Sequence, residues 1–207
     1  RRPEPTSSRN RPAPAGREFD PLLNCGGISP GLIRMFLTAI KEGAVGHPDN
    51  EAIRPCELAM TTIRTFMTDD HRRCDDFFAE AEQAIGKKNL PAAQAAFRHF
   101  RNAVLAHFDS EEKTLFPTFE AKTGMRMGPT QMMRMEHTQM RALLDDAIDA
   151  LEQGKTDDYL GLADTLLIMM QQHNMKEENI LYPMCDQHLA GETPELLARL
   201  EIELAEA

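Results

Sequence analysis

His107-Phe-Asp-Ser-Glu111-Glu112-Lys-Thr-Leu115-Phe116-Pro117 recurs 66 residues later as His173-Asn-Met-Lys-Glu177-Glu178-Asn-Ile-Leu181-Tyr182-Pro183, and reading this pair of segments decides the fold. In each copy a His and a Glu stand four residues apart, one helical turn, so both side chains leave the same face of a helix. Apolar residues upstream continue that face: Phe97, Phe100 and Val104 lead to His107, while Leu166 and Met170 lead to His173. Spacing of three and four is the mark of a buried helical stripe, and here residues suited to ligation sit on the stripe itself.

The repeat reaches further upstream at the same offset. His71 corresponds to His137, Phe77 and Phe78 to Leu143 and Leu144, Ala81 to Ala147, and Ile85 to Leu151. The stripe His71, Cys74, Phe78, Ala81, Ile85 predicts a helix capped by Thr68, with Asp69 and Asp70 near its positive end and Gly86 closing it. Pro91 opens the return helix. The chain is thus two related helical hairpins, which predicts an all-α, up-down-up-down four-helix bundle. A further helix from about Pro194 to Glu206, carrying Leu196, Leu197, Leu200 and Leu204, is expected to pack on the bundle's outside.

The predicted domain layout is an N-terminal extension over 1–59, the bundle over 60–190 and the C-terminal helix over 191–207. Up to about Gly27 the extension is rich in Pro and Arg and has no apolar period, which predicts disorder. Residues 29–43 read as one short helix, with Ser29 as cap, Pro30 at its first position, and Leu32, Met35, Phe36 and Ile40 as its apolar face.

The 207-residue chain has a formal net charge of -10, although its first 17 residues carry five Arg against one Glu. A body this acidic repels phosphate backbones and anionic lipid surfaces, so neither nucleic acid nor a membrane is an expected partner. The apolar run Leu166 to Met170 is far below the roughly 18 residues that span a bilayer. Cys25, Cys56, Cys74 and Cys185 form no Cys-x-x-Cys pair and no dense framework, which fits a reducing cytoplasm. A soluble, cytoplasmic protein is expected; its oligomeric state is not read from the sequence.

The outbound path from His71 to Gly86 and the return from Pro91 to His107 are nearly equal in length, at about 1.5 Å per residue. His71 and His107 therefore reach one level, and the same count levels His137 with His173. With Glu111 and Glu177, four imidazoles and two carboxylates converge in the core. Two buried carboxylates cost several kcal/mol each unless a cation compensates them, and these stripes supply no Lys or Arg. A metal is the cation that fits. Two ions sharing both carboxylates would each have two His and oxygen ligands, close to the two-His, one-carboxylate set of non-haem iron with open positions, although zinc and manganese also tolerate it.

The order His71, then His107-x3-Glu111-Glu112-x2-Leu-Phe-Pro117, then Glu136-His137, then His173-x3-Glu177-Glu178-x2-Leu-Tyr-Pro183 resembles the hemerythrin-like HHE cation-binding family over about residues 61–190. The resemblance implies a di-iron centre: two iron ions, His71 and His107 on one, His137 and His173 on the other, Glu111 and Glu177 bridging, with an oxygen-derived bridge between them. It implies a small diatomic gas as ligand, oxygen or nitric oxide, for sensing, storage or scavenging. Oxygen-carrying members have a further His one turn after the residue matched by His137; Arg141 stands there in this chain, which leaves room for an enzyme handling nitric oxide, peroxide or damaged iron-sulfur clusters. A structural metal site is the third reading.

Phe78, Phe100, Leu115, Leu144, Met170 and Leu181 are expected to wall the site. Asp70, Glu112, Glu136 and Glu178 neighbour the ligand candidates and are read either as acceptors that orient imidazoles or as solvated faces. Cys74 and the methionines from Met125 to Met140 are read as packing, His47, His99 and His188 as surface residues. Tyr182 is read either as a donor of a hydrogen bond or an electron near the site or as packing, and its counterpart Phe116 favours mainly packing.

Overall fold

The structure is a computed structural model that describes residues 61–205. The extension and its helix over 29–43 lie outside the described residues. Within them the protein is all-helical: α1 Ile63–Gly86, α2 Leu90–Ser110, α3 Phe116–Thr123, α4 Pro129–Glu152, α5 Thr156–Lys176, α6 Tyr182–Leu189 and α7 Thr193–Ala205. A single π-helical turn, Glu111–Leu115, joins α2 to α3 without a break, and a second, Glu177–Leu181, joins α5 to α6. Every boundary from α4 to α6 falls 66 residues after its counterpart from α1 to α3. The internal repeat is therefore a repeat of structure.

The first helix starts earlier than the sequence reading placed it. Thr62, not Thr68, is the cap: its hydroxyl accepts from the Thr65 amide while the Thr65 hydroxyl accepts from the Thr62 amide. Asp186 of α6 adds a second cap, accepting from the Ile63 amide at 2.7 Å. Asp69 and Asp70 accordingly lie inside the helix, where each pairs with an Arg three residues on, Arg72 and Arg73. A cap supplied from 123 residues away cannot be read from local sequence.

Short turns close each hairpin, with Lys88 at φ 55° in the first and Gly154 at φ 71° at the same place in the second. α1 packs on α2 and α4 on α5, and α2 meets α4. Below the His level, Ile63, Met67, Leu115, Phe116, Phe119, Met133, Leu181, Tyr182, Cys185 and Leu189 form a core that α7 completes with Leu196, Leu197 and Leu200. α7 packs against α1, α2 and the first π turn. Among the described residues no helix is long and apolar enough to cross a membrane.

The π turns follow from the prolines. Pro117 and Pro183 sit in the first turn of α3 and α6, where a proline in an unbroken α-helix lacks the amide and clashes with the carbonyl four residues back. One extra residue per turn relieves that clash and keeps the helix continuous. The resulting bonds, Phe116 amide to Glu111 carbonyl and Tyr182 amide to Glu177 carbonyl, span five residues and stack each aromatic over the acidic residue.

Candidate metal centre

All six predicted residues meet in the interior. His71, His107, Glu111, His137, His173 and Glu177 are each buried, the two Glu completely. The imidazoles form two pairs: the Nε2 atoms of His71 and His107 are 3.0 Å apart, and those of His137 and His173 are also 3.0 Å apart. Glu177 lies between the pairs, with Oε2 at 3.3 Å from His71 and Oε1 at 3.1 Å from His173. Glu111 Oε2 is 3.3 Å from His137 and 3.7 Å from His107.

The outer nitrogens explain why the inner ones face each other. Each Nδ1–H donates to a different carboxylate: His71 to Glu178 at 2.8 Å, His107 to Asp70 at 2.8 Å, His137 to Glu112 at 2.7 Å and His173 to Glu136 at 2.9 Å. These are the four acidic neighbours for which orientation and solvation were both open readings. Each adjoins one of the six in sequence and holds a different one in space. A proton fixed on Nδ1 leaves the Nε2 lone pair pointing inward, the tautomer a metal requires. Arg73 backs Asp70, Arg141 backs Glu112 and Lys176 backs Glu136, whereas Glu178 has no such cation among the described residues.

Burial alone would lower the imidazole pKa values, but the carboxylates override it. Glu177, Glu178 and Glu111 hold His71 at about 10, and Glu111, Glu112 and Glu177 hold His137 at about 9; His173 is raised too, chiefly by Glu177. Burial likewise opposes ionisation of Glu177, yet His173 and His71 keep its carboxyl well below the usual range. The carboxylates thus hold protons on the buried imidazoles of the metal-free protein.

The donor set fits a metal on a further ground. Glu111 Oε2 and Glu177 Oε1 are buried with no hydrogen-bond partner, a costly arrangement for an ionised carboxylate unless a cation completes it. Donor atoms of Glu111, His137, His173 and Glu177 lie within 4.8 Å of one another, as do those of His71, His107 and Glu177. Glu177 thus belongs to both groups and Glu111 to one. The model of the hemerythrin HHE cation-binding domain matches residues 62–185. The chain belongs to that family. No curated protein and no solved structure matches the chain.

In this HHE protein the six residues expected to wall the site are all buried, and a further aromatic that the sequence reading missed lies against it. Phe108 stacks on His137 with ring centroids 4.0 Å apart and planes 15° off parallel. Arg141, at the position where oxygen carriers have a further His, binds the cluster's surroundings: it donates to Asp109 at 2.9 Å, lies 3.4 Å from Glu112 Oε1 and sits over the Phe108 ring. Cys74 packs in the core as expected, and His99 and His188 are exposed; His47 lies outside the described residues. The methionine stretch divides, Met133 and Met140 buried, Met127, Met132 and Met135 exposed rather than packed.

Tyr182 corrects the sequence reading most. Its ring is fully buried, and its Oη lies 2.9 Å from Glu111 Oε1, 3.1 Å from Glu177 Oε2, 3.2 Å from His71 Nε2 and 3.4 Å from His107 Nε2. The repeat counterpart Phe116 misled because it shows only that the position is aromatic. Spacing of five from Glu177, read with the following Pro183, was the available signal for a π turn.

Proposed function

We propose that this chain is an up-down-up-down four-helix bundle holding a non-haem di-iron centre that binds a small diatomic ligand, oxygen or nitric oxide. His71 and His107 would hold one ion and His137 and His173 the other, with Glu177 offering a carboxylate oxygen to each pair and Glu111 serving chiefly the second. The observation that carries the reading is the pair of buried, unpartnered carboxylate oxygens facing two pairs of inward-aimed Nε2 atoms. Iron in such a set supplies open coordination and one-electron redox chemistry toward diatomic gases. The chain's own residues do the rest. Asp70, Glu112, Glu136 and Glu178 fix the imidazole orientation, and Phe78, Phe100, Leu115, Leu144, Met170 and Leu181 keep water from the site. The buried free thiols Cys74 and Cys185 fit a reducing cytoplasm.

Metal analysis with absorption spectra before and after anaerobic reduction, followed by stopped-flow mixing with oxygen or nitric oxide, tests this. About two irons per chain and a gas-dependent spectral change are expected. Zinc or manganese alone, or a reduced iron protein with no response to either gas, overturns it. A second reading, a di-iron enzyme consuming nitric oxide or peroxide or serving cluster repair, is favoured by Arg141, engaged with Asp109 and Glu112, standing where a fifth His would ligate. Substrate consumption beyond one equivalent per site supports that reading, and strict stoichiometry rejects it.

A further inference from the structure

The pseudo-twofold symmetry of the centre is broken most sharply at Tyr182 Oη, where the other half has only the Phe116 ring. Tyr182 Oη has around it Glu111 Oε1, Glu177 Oε2, His71 Nε2 and His107 Nε2, at 2.9 to 3.4 Å, four atoms that all present lone pairs when both imidazoles carry their proton on Nδ1 alone, the form that binds a metal. The phenol has one proton to donate, so it can satisfy one of the four at a time. The remaining contacts bring electron-rich atoms together in a dry interior, which is favourable only around a cation.

The distances have a second meaning. Where ligand bonds are about 2.1 Å long, neighbouring donors around one ion sit about 3.0 to 3.4 Å apart, the edges of an octahedron and a tetrahedron. His71 to His107 at 3.0 Å, His71 to Glu177 at 3.3 Å, and Tyr182 to three of these donors at 3.1 to 3.4 Å all fall on that scale. Tyr182 Oη occupies a vertex. It does so on the side that Glu111 leaves short, since Glu111 gathers with His137, His173 and Glu177 but not with His71 and His107. At the equivalent place beside His137 stands Phe116, ring centroids 5.9 Å apart against 5.8 Å for Tyr182 and His71, with no oxygen to offer.

We infer that the two metal positions are chemically unequal: Tyr182 is an oxygen ligand of the ion held by His71, His107 and Glu177, while the ion held by His137 and His173 lacks this ligand and keeps the position opposite Phe116 open. The inference rests on the two-metal reading above. Binding joins the phenol oxygen to the metal and releases the phenol proton to solvent, as an acidic ligand does when it coordinates. External ligands are then directed to the His137–His173 side, under Phe108 and Phe116.

Iron-loaded, oxidised full-length protein tests this, with iron content read alongside resonance Raman spectra across the visible bands. The chain has two tyrosines, and Tyr159 packs edge-on against Phe97 at the far end of α5. Expected are about two irons per chain with iron-enhanced phenolate ring modes that survive Tyr159→Phe and disappear in Tyr182→Phe. Phe116→Tyr is expected to add a second set of modes. Two irons without phenolate modes in the unmodified protein overturn the Tyr182 ligand and leave the di-iron reading standing, as do modes lost in Tyr159→Phe. Iron that never exceeds one per chain sinks both. If Tyr182→Phe fails to fold, the unmodified and Tyr159→Phe spectra decide the question.

Discussion

Glu177 and Glu111 are equivalent in the repeat but not in the centre. Glu177 presents one oxygen to each His pair, whereas Glu111 serves the His137–His173 side and turns its other oxygen to Tyr182. Glu177→Gln keeps the volume and removes the charge, so metal content is expected to fall from about two ions per chain to near none, while Glu111→Gln retains about one. Equal losses in both variants contradict the asymmetry. The convergence of the six residues was legible in the sequence because spacing and repetition placed them together. Tyr182 was not, because its role depends on an oxygen whose position only the three-dimensional packing reveals. The pKa shifts add a pH dependence. His71 at about 10 and His137 at about 9 both lie above the ordinary 6.5, so in metal-free protein their stabilising contribution is complete below pH 6.5 and is lost as pH climbs through 9 to 10. Glu177, held below its ordinary 4.5, contributes above that value and loses its contribution on acidification. The urea midpoint of metal-free protein is therefore expected to fall between pH 6 and pH 10; a midpoint that rises over that range contradicts these shifts.

At the scale of the element, the π turns set what each helix can present. Five residues after Glu111 or Glu177, an ordinary helix would rotate the aromatic away from the centre; the extra residue in the turn brings Phe116 back toward Glu111 and Tyr182 back toward Glu177. The prolines that force these turns were visible in both copies, yet proline in a sequence ordinarily marks a helix boundary, so the local sign of a π turn at Pro117 and Pro183 reads first as a stop. The start of α1 was misplaced for a related reason. Thr62 and Thr68 are alike as local caps, and what selects Thr62 is Asp186, a residue of another helix. Asp186→Ala removes the acceptor for the Ile63 amide and a negative charge at the helix's positive end. It is expected to cost about 1 to 2 kcal/mol, measured by urea unfolding of metal-free protein. A change below about 0.3 kcal/mol shows that the Thr62–Thr65 box caps the helix alone.

Across the whole molecule, the two hairpins are built to exchange their acids. Glu178 of the second half holds His71 of the first, Glu112 of the first holds His137 of the second, and Glu177 reaches both His pairs. Neither hairpin alone has a complete shell around its imidazoles. The 66-residue repeat made the two-hairpin plan legible, because each half needs the other to bury its stripe; the exchange of partners was hidden, because acidic residues on a helix read equally well as solvated. If the centre holds metal as proposed, the metal ties the halves together and stabilises the described helices as one unit. With free metal at a hundred times its dissociation constant, each site adds about 2.7 kcal/mol to the folded state. Two sites acting on a domain of this size raise the melting temperature by about 10 to 20 °C, at roughly 2 to 4 °C per kcal/mol. Calorimetry of metal-free and loaded protein, with Glu177→Gln as the variant lacking the shared ligand, measures this: the shift is expected in the unmodified chain and nearly absent in the variant. An equal shift in both places the stabilising ions elsewhere on the acidic surface, and two separate transitions in the loaded protein mean that the halves are not joined through the centre.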